Sequence, residues 1–145
     1  MVAELSRVAD VLGGEKVLGC RLESDLDFVE LGTQGVTKSA LSHLAAHLAL
    51  SWKQMAQLLP VTERTLQRYA PKQRLSRAVS EQAIDIAQVA TRGQEVFGDR
   101  ALFLAWVDEP NTALGGRTPL SLLASRFGAR MVLDVLGRIE HGVYS

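Results

Sequence analysis

The segment Ser51–Tyr69, SWKQMAQLLPVTERTLQRY, decides the fold. Its first half places Trp52 and Met55 at helical spacing behind Ser51, a residue type that caps helix starts. Pro60 ends this helix, because proline has no amide hydrogen and its ring clashes with the preceding turn. Thr62 then caps a second, short helix. A helix, a tight turn and a short helix are typical of a helix-turn-helix unit.

The short second helix has one apolar face, formed by Leu66 and Tyr69, and one polar face. Arginine, threonine and glutamine on the polar face suit contacts with phosphates and base edges in a major groove. The predicted DNA-binding residues are Lys53, Arg64, Thr65, Gln67, Arg68, Lys72 and Arg74. The alternative is that this helix is only a solvated surface helix.

Charge favours the DNA interpretation. Residues 52–77 hold six Lys or Arg and one acidic residue, a net charge of +5, whereas the whole chain has a formal net charge of zero. The rest of the chain therefore carries −5. A basic unit in an otherwise acidic protein is the electrostatic footprint expected of a small DNA-binding module.

The remainder of the chain also shows helical spacing, which predicts an all-α fold. Thr37, Ser76, Asp99 and Thr118 mark four helix starts, the last with Pro119 at its first position. The helix after Ser76 carries a heptad-like seam, which serves either as intramolecular core or as a dimer surface. The seam residues are Val79, Ala83, Ile86, Ala90, Gly93 and Phe97.

Three other segments complete the prediction of secondary structure. The run LESDLDFVELGTQG (residues 22–35) suggests a helix that breaks at Gly32. The run DEPNTALGGRT (residues 108–118) is rich in turn residues and is expected to be an irregular loop. The last helix ends near Gly142, a residue suited to a left-handed cap, and its buried face is predicted to hold Val132, Val135, Leu136 and Ile139.

Composition bounds the setting of the protein. The chain has 145 residues, 47% of them hydrophobic, and a single cysteine, Cys20. One cysteine cannot form an internal disulfide, which favours a reducing cytoplasmic setting. The first residues lack a secretory signal pattern, and no apolar run is long enough to cross a membrane.

A search for catalytic or metal-binding patterns yields little. His43 and His47 lie four residues apart, a metal-compatible spacing, but no Glu or Cys completes a recognised pattern around them. Cys20 has no flanking motif of a nucleophile, and LGGRTP (residues 114–119) lacks the frame of a phosphate loop. We therefore expect no catalytic residue, no metal and no cofactor. The rival interpretation is a small enzyme or metal-binding module built around His43, His47 or Cys20.

Four segments together resemble the Xre/MbcA/ParS-like antitoxin family, over roughly residues 35–145. They are SWKQMAQLLPVTERTLQRY (51–69), VFGD (96–99), AWVDEPNTALGGRTPLSLL (105–123) and FGARMVLDVLGRIEHGVYS (127–145). The resemblance implies an Xre-type DNA-binding domain followed by a toxin-binding domain. It also implies a partner, a RES-domain toxin that degrades NAD and whose NAD site is covered by the antitoxin's C-terminal end. Many family members repress their own operon.

The resemblance also suggests which residues bind the toxin. They are Arg117, Arg138, Glu140, His141, Val143, Tyr144 and Ser145. Arginine and tyrosine are frequent interface anchors, and a short segment after a capped helix loses little entropy on binding. Glu140 or the carboxylate of Ser145 suits a basic pyrophosphate pocket.

The resulting interpretation divides the chain into residues 1–75, an N-terminal region with the helix-turn-helix, and residues 76–145, a dimerisation and toxin-binding domain. The protein is expected to be a non-enzymatic antitoxin of a type II pair that represses its operon by binding operator DNA and that forms a homodimer within a larger toxin–antitoxin complex. A stand-alone helix-turn-helix repressor is the alternative, and a neighbouring gene for a RES-type protein discriminates between them.

Overall fold

The structure is a computed structural model that describes the backbone of residues 2–142 and the side chains of residues 4–142. The helices are α1 Val2–Val11, α2 Glu15–Leu18, α3 Asp25–Gln34, α4 Lys38–His47, α5 Trp52–Gln57, α6 Glu63–Arg68, α7 Arg77–Phe97, α8 Arg100–Val107, α9 Pro119–Leu122 and α10 Arg126–Glu140. A 3-10 turn covers Thr112–Leu114. Extended pairing within residues 2–142 is limited to two isolated bridges, so the all-α prediction is confirmed.

The predicted helix starts are confirmed. At each, the side chain of the capping residue accepts a hydrogen bond from a backbone N–H of the first turn, which otherwise lacks a partner. The caps are Thr37, Ser51, Thr62, Ser76, Asp99 and Thr118. Each such bond stabilises the folded state by about 1 kcal/mol.

Helix α7 is the centre of the fold, and it packs against α1, α3, α8 and α10. Val79, Ala83, Ile86 and Ala90 of its predicted seam are buried in one continuous core. The seam is therefore intramolecular core. Because α7 contacts helices from both halves of the chain, the division at residues 75 and 76 stays a prediction.

Helix α3 ends at a different residue from the one predicted from the sequence. The predicted break at Gly32 is wrong, since α3 continues through it to Gln34. Gly32 faces the Glu81 side chain on α7, which a small residue permits. The helix ends at Gly35, where φ is +95° and a Cβ would lie 2.4 Å from the Leu75 carbonyl oxygen. Only glycine fits this close approach of two backbones.

The N-terminal helix α1 belongs to the same core, which the sequence analysis did not resolve. Leu5, Val8, Ala9 and Leu12 are buried, at the spacing of one helix face. This face packs against α7. Residues before the helix-turn-helix therefore support the helix that joins the two halves.

Helix α10 lies along α7, and both of its ends are tied to that helix. At its start, Arg126 Nε donates to Asp85 Oδ2 over 2.6 Å, and at its end Glu140 pairs with Arg92. Its predicted buried face is confirmed at Val132, Val135 and Leu136, with Ile139 partly buried. Gly142 has the predicted left-handed conformation, with φ of +73°.

Candidate interaction surfaces

Helices α5 and α6 form the predicted helix-turn-helix. The apolar side of α6 is anchored by Leu66, which is fully buried, and Met55 of α5 is buried as well. The intervening turn is closed by a 2.8 Å hydrogen bond from the Val61 amide to the Leu59 carbonyl. The second helix therefore presents its opposite side to solvent.

Lys38 of α4 fixes the far end of this short helix. Its Nζ donates to the carbonyl oxygens of Gln67 (3.3 Å) and Tyr69 (2.9 Å) and lies 5.8 Å from the centre of the Trp52 ring. A cation at a helix C-terminus satisfies free carbonyls and complements the helix dipole. Lys38 was not singled out in the sequence, because its partners lie about 30 residues away.

Four of the predicted DNA-binding side chains lie at the solvent side of the unit. Lys53, Arg64, Gln67 and Arg68 are exposed. Within residues 4–142, no carboxylate forms an ion pair with their three cationic groups. Thr65 is half-buried, and its hydroxyl accepts a 2.9 Å hydrogen bond from Thr62 Oγ1, so its side chain belongs to the start of the helix.

The other two predicted DNA-binding residues lie after α6. Lys72 and Arg74 line a cleft of about 520 Å³ that Lys16 of α2 also lines. Arg74 also has an internal partner, since its Nη1 donates to the Gly35 carbonyl over 2.8 Å. The structure thus gives Arg74 a role in holding the end of α3 against the segment between α6 and α7, whatever it contributes to DNA.

The turn-rich loop is more ordered than its composition suggests. Asn111 and Arg117 form an isolated bridge around the 3-10 turn, and the Asn111 amide donates to the Arg117 carbonyl over 3.0 Å. Gly115 and Gly116 both have positive φ, which closes the loop. The Arg117 side chain is exposed.

The remaining predicted toxin-binding residues separate into three groups. Arg138 and His141 are exposed, on the last turns of α10. Glu140 is committed within the molecule, since Arg92 donates to it from both terminal nitrogens, Nη1 over 2.9 Å. This pairing raises the pKa of the Arg92 guanidinium above its ordinary value. Val143, Tyr144 and Ser145 lie outside the described residues.

Helix α10 also exposes two large apolar side chains that the sequence analysis missed. Phe127 is 77% exposed and Met131 37% exposed, four residues apart on the side opposite Val132 and Leu136. The stripe continues to Asp134 and Arg138, and all of these side chains face solvent. We call Phe127, Met131 and Arg138 the outer stripe of α10. The sequence could have predicted this stripe, because helical spacing places Phe127 and Met131 outside the buried face of α10.

The surroundings of His43, His47 and Cys20 are those of structural side chains rather than of catalytic ones. His43 Nδ1 lies 2.9 Å from the Ser39 carbonyl oxygen of its own helix. Burial is the main cause that lowers the pKa of His47, and the positive charge of the Arg100 guanidinium lowers it further. Burial is the main cause that raises the pKa of the Cys20 thiol, and the negative charge of Asp27 raises it further. An activated cysteine nucleophile has a lowered pKa instead. No cluster of three or more His, Cys, Asp or Glu suited to a metal occurs among the described residues.

None of the helices described between residues 2 and 142 combines the length and the apolar character that crossing a bilayer requires.

Two family models match consecutive parts of the chain. Residues 27–88 match the antitoxin Xre-like helix-turn-helix domain, a range that contains most of α3, all of α4–α6 and the first half of α7. Residues 92–142 match the antitoxin Xre/MbcA/ParS C-terminal toxin-binding domain, which contains α8–α10. Together they span most of the chain.

Curated relatives and a solved structure agree with these matches. An antitoxin Xre of Yersinia enterocolitica is 39% identical over 67 residues, 46% of this chain and 45% of the relative. An antitoxin Xre of Photorhabdus laumondii is 42% identical over 48 residues, 33% of this chain and 32% of the relative. The matched part thus spans less than half the length of either relative.

The fold is similar to that of a chain in the crystal structure of the M. tuberculosis MbcT–MbcA toxin–antitoxin complex. The TM-score is 0.57 at 24% sequence identity, over 74% of this chain and 96% of that chain. A helix-turn-helix domain and a toxin-binding domain of the same family, in order along one all-α chain, therefore lead to one conclusion: the chain belongs to the Xre/MbcA/ParS antitoxin family.

Proposed function

We propose that this protein is the antitoxin of a type II toxin–antitoxin pair and that it neutralises a RES-domain toxin that degrades NAD. The observation that carries the proposal is the outer stripe of α10. It lies in the part of the chain that matches a toxin-binding domain, and it exposes Phe127 and Met131 while the opposite face of α10 is buried.

The composition of the stripe suits a protein partner. Aromatic, methionine and arginine side chains are enriched at the centres of interfaces, and a few such residues supply most of the binding free energy. Phe127 and Met131 provide apolar area, and Arg138 provides a planar group for paired hydrogen bonds. An exposed phenylalanine in a monomer leaves apolar area in water, which a docked toxin removes.

We further propose that the C-terminal end covers the NAD site of the toxin. Gly142 turns the chain out of α10 with a positive φ, directly before the predicted contact residues Val143, Tyr144 and Ser145. Because Glu140 is paired with Arg92, Tyr144 is the better candidate for the nucleotide pocket.

The helix-turn-helix supports a second role, repression of the antitoxin's own operon from the cytoplasm. Arg64, Gln67 and Arg68 are exposed on the second helix, and Lys53 is exposed on the first. One such unit reads few base pairs, so we expect two copies to bind a two-fold symmetric operator as a homodimer.

Deletion of residues 143–145 tests the mode of inhibition. The full chain should abolish NAD hydrolysis by the RES-type toxin encoded beside it, and the shortened chain should inhibit at least tenfold less well. Arg64→Ala in the full chain is the matched control and should inhibit normally while losing operator binding. Undiminished inhibition by the shortened chain would refute the covering of the NAD site.

A further inference from the structure

The last turn of α10 is held by a chain of ion pairs that reaches across three helices. Arg7 of α1 pairs with Glu95 of α7, with Nη1 and Oε1 2.9 Å apart. Glu95 Oε2 lies 3.6 Å from Arg92 Nη1, one turn earlier on α7. Arg92 in turn holds both oxygens of Glu140, the last residue of α10. We call these four residues the clamp.

From this arrangement we propose that the clamp positions the C-terminal end for the toxin, so that Arg7, Glu95 and Arg92 are positioning residues for inhibition. The inference rests on the proposed function and deepens it. It assigns a role to α1, which lies before both regions that match the family models.

The geometry supports positioning because of where the clamp acts. A two-pronged arginine–carboxylate contact fixes orientation as well as distance. Here it fixes the residue two positions before Gly142, where the chain turns out of the helix. Movement of Glu140 would therefore be passed on directly to every residue after it.

The surroundings of Arg92 favour a strong contact. The side chain of Arg92 is 26% exposed and that of Glu95 is 23% exposed, whereas that of Arg7 is 54% exposed. Water therefore screens the Arg92–Glu95 pair less than the Arg7–Glu95 pair. Helix α1 itself is fixed to α7 through buried Leu5 and Val8, so Arg7 starts from a rigid base. Glu4 of the same helix adds negative charge near Arg92.

The pairing also gives a different role to Glu140 than direct contact with a toxin pocket. A carboxylate that accepts from both terminal nitrogens of Arg92 has to give up both of these hydrogen bonds before it can bind elsewhere. Under the proposal, Glu140 acts through Arg92. The two roles make different predictions for a double variant, because residues that act through one contact are not additive.

The experiment measures toxin affinity and hydrogen exchange in the full chain, well below the unfolding temperature. Arg92→Ala should bind the toxin about tenfold more weakly and Arg7→Ala about threefold more weakly, since a less ordered end loses more entropy on binding. Exchange should accelerate at the amides of His141 and Gly142, which donate to Gly137 and Ile139 in the last turn. Arg21→Ala is the control and should change neither quantity, since the ion pairs of Arg21 among the described residues are to Glu15 and Glu23.

A double-variant cycle completes the test. Arg92→Ala combined with Glu140→Gln should bind no more weakly than Arg92→Ala alone. Additive losses, or an unchanged affinity in Arg92→Ala despite binding by the unmodified chain, would overturn the clamp. If the unmodified chain itself fails to bind the toxin, the proposed function is what fails, and the exchange rates then show whether the clamp still holds the helix end.

Discussion

Gly93 on α7 and Phe103 on α8 lie in such close contact that a Cβ on residue 93 would sit 2.1 Å from Cε1 of the phenylalanine ring. The ring is fully buried and packs with Phe97 and Trp106 in an aromatic cluster. This glycine therefore sets how closely α8 approaches α7.

We predict that Gly93→Ala destabilises the protein, because overpacking costs about 1–3 kcal/mol and the helix propensity of alanine returns about 1 kcal/mol. Gly137→Ala is the matched control. Apart from its chain neighbours and the adjacent backbone of α10, no described atom lies within 4 Å of the Cβ it would add, so this variant should be up to about 1 kcal/mol more stable. Unfolding in urea measures both changes, and equal stability of the two variants would contradict the packing argument.

Acid should destabilise the protein through His47. Burial lowers its pKa in the folded state, so the folded protein binds this proton less readily than the unfolded chain does. The stabilising contribution is complete above the unfolded pKa of about 6.5 and is lost as the pH falls below it. The described structure offers no hydrogen-bond partner to the buried Nε2. His47→Gln should therefore flatten the fall in unfolding free energy as the pH drops below about 6.5, and an unchanged slope would assign the acid sensitivity elsewhere.

Arg64→Ala should weaken operator binding and lower the salt slope of log Kd by about 1 if the arginine contacts a phosphate. The folded state should be unaffected, since the side chain is exposed. Fluorescence anisotropy with operator DNA over a range of salt concentrations measures this. Arg117→Ala, in the toxin-binding domain, is the control and should leave DNA affinity unchanged; parallel losses in both variants would count against a separate DNA surface.

Phe127→Ala should weaken toxin binding by at least about tenfold, the effect of losing a central aromatic anchor. The free energy of unfolding should hardly change in this variant, because Phe127 is 77% exposed. Leu26→Ala, on α3 and 64% exposed, is an equally apolar control far along the chain and should bind the toxin normally. Calorimetric titration with the toxin gives both affinities, and similar values for the two variants would exclude the outer stripe as the docking surface.

The helices and their starts could be predicted from the sequence because capping and hydrophobic spacing are local. Thr37, Ser51 and Ser76 are each followed within a few residues by the amides they cap. The internal role of Arg74 and the pairing of Glu140 could not be predicted in this way. Their partners lie 39 and 48 residues away, and only the packing of α7 against its neighbours brings them together.

The break predicted at Gly32 failed for a related reason. A glycine within a helical pattern has two explanations, a helix end or a close neighbour, and spacing alone does not distinguish them. In this fold α3 crosses α7 beside Glu81, and the true end is set by the backbone contact of Gly35 with Leu75.

Titration of NAD hydrolysis by the neighbouring RES-type toxin with the purified full chain tests the central claim most directly. The account predicts that hydrolysis falls in proportion to added antitoxin and stops when the binding sites are filled. Hydrolysis that continues at the full rate in the presence of excess, folded antitoxin would contradict it.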